Sequence, residues 1–193
     1  MGEKISRRDM LKTMGASALL LGLGGGLYYS ESEKVFLRPP GMVDEKDFLS
    51  KCIKCQKCLA VCHTQVIVPV GWTEGRKALG TPTLKFVQGY CDLCMDCVEV
   101  CPTNALVAIE PDDVMLGIAV INPDLCVAWD WTGCIECFEV CPYEAITLDA
   151  KQRPLVNENK CNGCGLCENV CPSSSLRGYD LKRSGKAIVV KPM

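Results

Sequence analysis

The chain has 193 residues, 16 of them cysteine, and its 21 Lys and Arg residues nearly balance its 23 Asp and Glu residues. A protein that binds nucleic acid usually carries a clear basic excess, so we expect no nucleic-acid partner. Aromatic residues make up only 6% of the chain, and a short chain so poor in large apolar side chains needs disulfides or bound metal for cohesion.

The first 30 residues differ in composition from the rest. The pair Arg7-Arg8 precedes a Gly-rich stretch from Thr13 to Ser30 that has no charge, which is typical of a twin-arginine signal for export in the folded state. It predicts the twin-arginine export machinery as a partner and a location on the periplasmic side of the cytoplasmic membrane. No Ala-x-Ala site follows the apolar run, which would span about 27 Å as a helix, so an uncleaved anchor is slightly favoured. A plain anchoring helix with two adjacent arginines is the alternative.

Residues 31–47 are expected to form an extended linker, because Pro39-Pro40-Gly41 cannot continue a helix. Every cysteine follows this segment. The sequence therefore predicts three parts: a signal or anchor over 1–30, a linker over 31–47 and the functional region over 48–193.

All sixteen cysteines fall into four motifs of four. The motifs are Cys52-x2-Cys55-x2-Cys58-x3-Cys62, Cys91-x2-Cys94-x2-Cys97-x3-Cys101, Cys126-x7-Cys134-x2-Cys137-x3-Cys141 and Cys161-x2-Cys164-x2-Cys167-x3-Cys171. Closely spaced thiolates in one loop can hold three corners of a cubic cluster, and the fourth cysteine of such a run ligates the other cluster of a pair. The sequence predicts that these sixteen cysteines are the metal ligands of four [4Fe-4S] clusters. No acid–base pair or nucleophile is apparent besides them, so catalytic residues and enzyme activity are not expected.

Three other uses of these cysteines fit the spacing poorly. A disulfide scaffold does not require four nearly identical clusters of cysteines. Zinc ribbons bring two Cys-x2-Cys arms together from a distance, whereas three successive ligand spacings in one loop would crowd a tetrahedral ion. Haem attachment needs Cys-x-x-Cys-His, and the sequence has no such run.

The segments between the motifs predict an α+β fold with two bacterial dicluster-ferredoxin-like modules, short helices and small antiparallel hairpins around a loop-rich, cluster-centred core. The runs 105–109 and 117–123 are β-branched and flank a turn-like segment at 111–113, which predicts one hairpin. Residues 145–149 and 154–157 repeat this arrangement. A helical turn is expected after each Cys-Pro.

Several residues near the motifs depart from the repeat or differ in charge. The longer third motif contains Trp129 and Trp131, which either cap a cluster and exclude water from it or pack on the core as part of a tolerated loop. His63 replaces the proline after Cys62, and a surface or hydrogen-bonding role is favoured over ligation. Lysines near the first motif form a docking patch for an acidic partner, raise the potential of that cluster, or are an ordinary solvated face. Acidic residues make the second and third motifs locally acidic. These charged residues are Lys51, Lys54, Lys57, Asp92, Asp96, Glu99, Glu136 and Glu139.

The leader, the segment Leu37-Arg38-Pro39-Pro40-Gly41 and the lengthened third motif together resemble those of the MauM/NapG-type ferredoxins. The resemblance implies an exported accessory subunit of a respiratory system. It also implies electron passage from a membrane-bound quinol-oxidising polyferredoxin to a periplasmic reductase or cytochrome, with nitrate reductase as the best-known acceptor. His63 and the short, regular second motif depart from the family pattern.

The pairing of the motifs has two solutions. A simple tandem ferredoxin pairs the first motif with the second and the third with the fourth. Related four-cluster subunits pair the first with the fourth and the second with the third, and the resemblance favours this arrangement. Cys62 would then complete the cluster held by Cys161, Cys164 and Cys167, and Cys171 would complete the first cluster.

Two other functions stay open. One is the iron–sulfur subunit of a molybdenum oxidoreductase complex, although such subunits often travel with a partner's signal and have none of their own. The other is a maturation or structural factor whose clusters do not turn over. Reduction of the clusters by a quinol-oxidising partner separates a carrier from the latter class.

Overall fold

The computed structural model describes residues 34–130, 133–176 and 185–193. Its contacts divide the chain into the units Met1–Lys34 and Val35–Met193, and all sixteen cysteines lie in the second. The twin-arginine segment, the possible anchor and Trp131 lie outside the described residues. Within the described ranges, no helix has the length and apolar character needed to cross a bilayer.

The second unit is built from short elements, in agreement with the predicted α+β class. Its α-helices are α1 (Glu45–Lys51), α2 (Lys57–Val61), α3 (Asp96–Glu99), α4 (Val127–Asp130), α5 (Glu136–Glu139), α6 (Leu166–Val170) and α7 (Ser173–Leu176), with a 3-10 turn at Pro111–Asp113. Its strands are β1 (Ile67–Pro69), β2 (Pro82–Leu84), β3 (Ile118–Ile121), β4 (Ile146–Leu148), β5 (Pro154–Val156) and β6 (Ile188–Lys191).

The segment before the first motif is part of this unit. The Arg38 side chain is buried, and its guanidinium lies over the rings of Phe36 and Phe48, 5.0 and 4.8 Å from their centroids. Its Nε donates to Glu45 3.0 Å away, and one of its terminal amino groups donates to the hydroxyl of Thr81 at 2.8 Å. The compact unit therefore begins at Val35, earlier than the expected boundary at residue 48, because the buried arginine fixes the Pro-rich stretch to the β1–β2 region.

The strands form three two-stranded antiparallel sheets. β1 pairs with β2, with Ile67 opposite Leu84, and β4 pairs with β5, with Ile146 opposite Val156. The second of these is the hairpin predicted over 145–157. The hairpin predicted from 105–109 and 117–123 is wrong, because β3 pairs instead with β6 near the end of the chain. Strand propensity indicates an extended segment and does not identify its partner.

Each motif has one short helix that includes its third cysteine and ends before its fourth, namely α2, α3, α5 and α6. The prediction of a helical turn after each Cys-Pro is mostly wrong. Only α7 follows such a pair. After the fourth cysteines of the first three motifs, Gln65, Asn104 and Glu144 have φ values of 56°, 52° and 49°. A residue in the left-handed region cannot continue a right-handed helix, so the chain turns there.

The cysteines are themselves a large part of the core. Six are buried, namely Cys97, Cys126, Cys137, Cys161, Cys167 and Cys171. They pack in one cluster with apolar side chains such as Phe48, Leu84 and Phe86. The interior is therefore organised around sulfur atoms, as the predicted cluster-centred core requires.

Candidate metal centres

All sixteen cysteines are unbridged, and the structure gathers them into four sets of four. We name the sets by the motif that supplies three of their members. Site I is Cys52, Cys55, Cys58 and Cys101; site II is Cys91, Cys94, Cys97 and Cys62; site III is Cys126, Cys134, Cys137 and Cys171; and site IV is Cys161, Cys164, Cys167 and Cys141.

Three of the sets line separate cavities. The cavities of sites I, III and IV have similar empty volumes of about 410, 350 and 350 Å³. In site II, Cys62 lies close enough to Cys91 and Cys97 for its negative charge to raise the pKa of both thiols. The similar volumes of the three cavities and the identical set of four cysteine sulfurs in every site indicate that the sites bind the same kind of metal centre.

This arrangement corrects the favoured pairing of the motifs. Cys101 joins the first motif and Cys171 joins the third, so the first motif pairs with the second and the third with the fourth. The expectation that Cys62 completes the set of Cys161 and that Cys171 completes the first set is wrong. The β1–β2 and β4–β5 hairpins each return the chain to the motif that it has just left, which brings consecutive motifs together.

The loops of sites I, II and IV have the same unusual backbone. The residues just before and just after the second cysteine of each loop have positive φ; they are Lys54, Gln56, Leu93, Met95, Gly163 and Gly165. For a residue other than glycine this conformation costs about 1–2 kcal/mol. Alternation of left- and right-handed residues turns successive N–H groups toward one point, which makes an anion-binding concavity. A negatively charged cluster is a guest of the kind that offsets such strain.

Site III departs from this backbone. Gly133, before Cys134, has a φ of 117°, but Ile135, after it, has a φ of −125°. A β-branched residue is strongly disfavoured at positive φ. The loop with extra residues between Cys126 and Cys134 therefore has a different backbone conformation around its second cysteine from that of the other three loops.

Burial keeps most of these thiols protonated unless a metal binds. Desolvation raises the pKa of Cys58 to about 11 and that of Cys97 and Cys137 to about 12, helped by the charges of neighbouring cysteines. Since the ligand is the thiolate, metal binding must release these protons. The cation then supplies the positive charge that the protein interior lacks.

Hydrogen-bond donors lower the pKa of two of the fourth cysteines, Cys101 and Cys171. Burial favours a higher pKa for Cys101, but the backbone N–H groups of Leu106 and Thr103 and the Thr103 hydroxyl outweigh it and lower the pKa. In site IV the backbone N–H of Ala145 lies 3.3 Å from the sulfur of the fourth cysteine Cys141. A first cysteine, Cys161, also has such a donor, the backbone N–H of Ala119 at 3.4 Å. Donors of this kind stabilise an anionic sulfur, so the donor set fits iron–sulfur clusters.

The sequence contains a signal for three further residues that the motif reading missed. A hydroxyl residue stands two positions after the fourth cysteine of three motifs, and its oxygen lies near that sulfur. Thr64, Thr103 and Ser173 are 3.4, 3.9 and 3.3 Å from the sulfurs of Cys62, Cys101 and Cys171. The third motif has Tyr143 at this position.

His63 connects the first motif to the second. Its Nε2 lies 2.8 Å from a carboxylate oxygen of Asp92, and both side chains are partly exposed. Asp92 also accepts a hydrogen bond from the backbone N–H of Cys94 at 3.3 Å. The histidine thus stands at the surface and has a hydrogen-bonding partner.

Of the two tryptophans in the third motif, the structure describes Trp129. It is half-buried against the core, and Arg153 lies over its ring. Its indole N–H is buried and meets no acceptor among the described residues. Packing on the core is therefore observed for this residue.

The charged residues near the sites lie at the surface as expected. Lys51, Lys54 and Lys57 are all exposed, and so is Cys55, which they flank. Lys51 pairs with Asp47 at 2.7 Å. The four exposed members of the acidic group are Asp92, Glu99, Glu136 and Glu139, and Asp96 is half-buried.

Comparisons with known proteins agree with this geometry. Residues 51–105 and 90–145 match the family described as 4Fe-4S dicluster domain, and residues 119–177 match a second family with the same description. The chain is 33% identical to the ferredoxin-type protein NapG of Escherichia coli K12, covering 88% of this chain and 81% of that protein. It is 36% identical to the methylamine utilization ferredoxin-type protein MauM of Methylorubrum extorquens, covering 86% and 84%. It is 30% identical to the ferredoxin-type protein NapF of Escherichia coli K12, covering 72% and 82%.

Identity at this level extends over most of the chain and includes the region of all four motifs. The matched dicluster domains together span residues 51–177, which contain every cysteine of the chain. Domains of this class hold iron–sulfur clusters on cysteine thiolates and exchange electrons. The chain therefore belongs to the family of ferredoxin-type iron–sulfur electron-transfer proteins that includes NapG and MauM.

Proposed function

We propose that this protein is a non-catalytic carrier that takes electrons from a membrane-bound quinol-oxidising polyferredoxin and delivers them to a periplasmic reductase or cytochrome. The proposed setting is a respiratory system of the nitrate-reductase kind. The single observation that supports it best is the assembly of all sixteen unbridged cysteines into four sets of four. The likeness to NapG and MauM directs the choice of partners.

The proposed cofactors are four [4Fe-4S] clusters, one in each of sites I to IV. A bound cluster would accept and release one electron at a time. The chain's own contribution is to hold the thiolates, to direct N–H groups at them and to bury them to different degrees. Burial and hydrogen bonding to sulfur both change a cluster's potential, so the exposed Cys55 and the buried Cys167 predict different potentials for sites I and IV.

The proposed location is the periplasmic side of the cytoplasmic membrane, reached through the twin-arginine route. The pair Arg7-Arg8 and the uncharged stretch after it support this proposal. Export after folding suits a protein whose clusters must be inserted in the cytoplasm. Attachment by an uncleaved segment within residues 1–30 is part of the proposal, and fractionation of cells that express the full chain, with and without the two arginines, tests it.

Metal analysis tests the cofactor proposal. Protein purified without oxygen should contain about 16 iron and about 16 acid-labile sulfide per chain, four of each for every cluster. Its spin-resonance spectrum during stepwise reduction should develop signals from reduced [4Fe-4S] clusters. A colourless, iron-free preparation with bridged cysteines would contradict the proposal.

Electron transfer with a partner separates the carrier from the two alternatives. In membranes reconstituted with a quinol-oxidising polyferredoxin, added quinol should reduce the clusters of the carrier, and a periplasmic reductase should reoxidise them. A maturation or structural factor would show unchanged spectra. The iron–sulfur subunit of a molybdenum complex would instead copurify with a molybdenum-containing subunit.

A further inference from the structure

We infer that the four sites are arranged in the order I, II, IV, III, which differs from their order along the chain, and that sites II and IV meet at a direct backbone contact. The inference rests on the proposed presence of four clusters. It adds to that proposal the route by which electrons would pass between the pair of sites I and II and the pair of sites III and IV.

The contact joins one ligand residue of each inner site. The backbone N–H of Cys91 donates a hydrogen bond to the carbonyl oxygen of Cys164 at 2.8 Å. Cys91 belongs to site II and Cys164 to site IV. Only this hydrogen bond and the two cysteine residues themselves separate the sulfur ligands of the two sites along the shortest bonded route.

The surrounding residues hold these loops together. Gly165 follows Cys164 and has a φ of 81°, and a Cβ atom added to it would lie 2.0 Å from the ring of the buried Phe86. The side-chain amide of Asn169 lies 3.3 Å from the carbonyl oxygens of Phe86 and Val87. Segment 86–91 is thus pressed onto the loop and helix of the fourth motif. Phe86 and Asn169 are positioning residues, since they act on site IV by holding segment 86–91 against its loop and helix.

The outer positions follow from the crossed ligands. Sites I and II exchange Cys101 and Cys62, and sites III and IV exchange Cys171 and Cys141, so each outer site adjoins one inner site. Exposure supports this order at one end. The first-motif residues 53–57 are all exposed, whereas residues 161–165 of the fourth motif are buried apart from the partly exposed Cys164.

Magnetic coupling between chosen pairs of sites tests the order. One variant removes sites I and III through Cys52→Ala, Cys55→Ala, Cys134→Ala and Cys137→Ala. The matched variant removes sites II and IV through Cys91→Ala, Cys94→Ala, Cys161→Ala and Cys164→Ala. Each should retain about eight iron. After full reduction, the first should show a spin-resonance spectrum split or broadened by coupling between two neighbouring clusters, and the second should show two uncoupled spectra.

Equal coupling in both variants, or coupling only in the second, would overturn the proposed order. These spectra require no membrane partner and no reductase, so they do not depend on the proposed relay. Failure of the unaltered protein to bind iron would instead refute the proposed cofactors.

Hydrogen exchange of the unaltered, iron-loaded protein provides a second test that does not depend on removing clusters. Within a peptide covering residues 86–91, one amide, that of Cys91, should exchange slowly, because it is bonded across the interface to the carbonyl oxygen of Cys164. Asn169→Ala should accelerate exchange in this peptide severalfold. The control Asn157→Ala, which removes a turn bond to the backbone of Asn159, should leave it unchanged. Rapid exchange of the Cys91 amide in the unaltered protein, or equal effects of the two variants on it, would contradict the contact.

Discussion

Arg153 lies over the indole ring of Trp129, with its guanidinium carbon 4.4 Å from the ring centroid. Arg153 also pairs with Asp149, 2.6 Å away across the turn between β4 and β5. The β4–β5 hairpin is therefore connected to the long loop of the third motif. Trp129, three positions after the site III ligand Cys126, is thereby held in place by Arg153.

Two substitutions distinguish the two roles considered for Trp129. Trp129→Phe retains a large ring for packing but removes the indole N–H, and Trp129→Ala removes both. If the N–H tunes site III, both variants should shift the midpoint potential of one cluster in a spin-resonance redox titration. If the ring only packs, the phenylalanine variant should match the unaltered protein, and the alanine variant should lose iron from one site.

Charge reversal at the first motif tests whether site I is the docking end for an acidic partner. The double variant Lys54→Glu and Lys57→Glu should slow electron exchange with such a partner by about tenfold or more at low salt, because charged surfaces steer association. The difference should shrink as ionic strength rises. Lys151→Glu, an exposed lysine on the β4–β5 turn, is the control. Rates that respond equally to both variants would exclude a specific patch.

The partly buried pair of Arg38 and Glu45 should contribute more to stability than the exposed pair of Lys51 and Asp47. Glu45→Gln leaves the Arg38 charge buried without its counter-charge, and such losses cost about 3–5 kcal/mol when the pair is fully buried. Glu45 is partly exposed, with 32% of its side chain accessible, so the cost should fall below that range. The exposed pair of Lys51 and Asp47 predicts less than about 1 kcal/mol for Asp47→Asn.

Thermal scans under anaerobic conditions measure this difference. The midpoint of cluster loss should fall clearly for the glutamine variant and hardly at all for the asparagine variant. Similar midpoints for the two variants would show that the charge of Glu45 adds nothing to the stability of residues 35–51.

Gly163 should be essential for site IV. It has a φ of 75°, and a Cβ atom there would lie 2.5 Å from the carbonyl oxygen of Gly117. Gly163→Ala should therefore lower the iron content by about four per chain, the content of one cluster. Gly71→Ala is the control, since its added Cβ would be in ordinary contact with Glu74 at 3.4 Å. Full iron content in the first variant would show that the loop can relax.

The fold could be predicted from the sequence where the determining interactions are local. Ligand spacing within a loop is set by the chain itself, so Cys91, Cys94 and Cys97 could be grouped without a structure. The β4–β5 hairpin has its two strands close together in sequence and was predicted for the same reason.

Interactions between distant residues could not be predicted in this way. β3 pairs with β6, which lies about 70 residues further along the chain. The backbone N–H of Val107 donates to the carbonyl oxygen of Gly41 at 2.9 Å. Both segments of the predicted hairpin therefore bond to other parts of the chain and not to each other. The motif pairing failed because it was inferred from resemblance to other four-cluster subunits. Thr103 stands two residues after Cys101, just as Thr64 stands two residues after Cys62, and this repeated spacing is visible in the sequence.

The pairing of β3 with β6 makes synthesis of residues 188–191 a condition for completing the part of the unit that holds sites III and IV. Ala187 and Ile188 line the cavity of site III, so one side of that cavity is missing until these two residues have been synthesised. Sites I and II, whose ligands are all synthesised by Cys101, are thus expected to bind their clusters before sites III and IV do. A released chain that stops before residue 185 should hold about eight iron, the content of two clusters, and about sixteen iron in that chain would contradict this order of assembly.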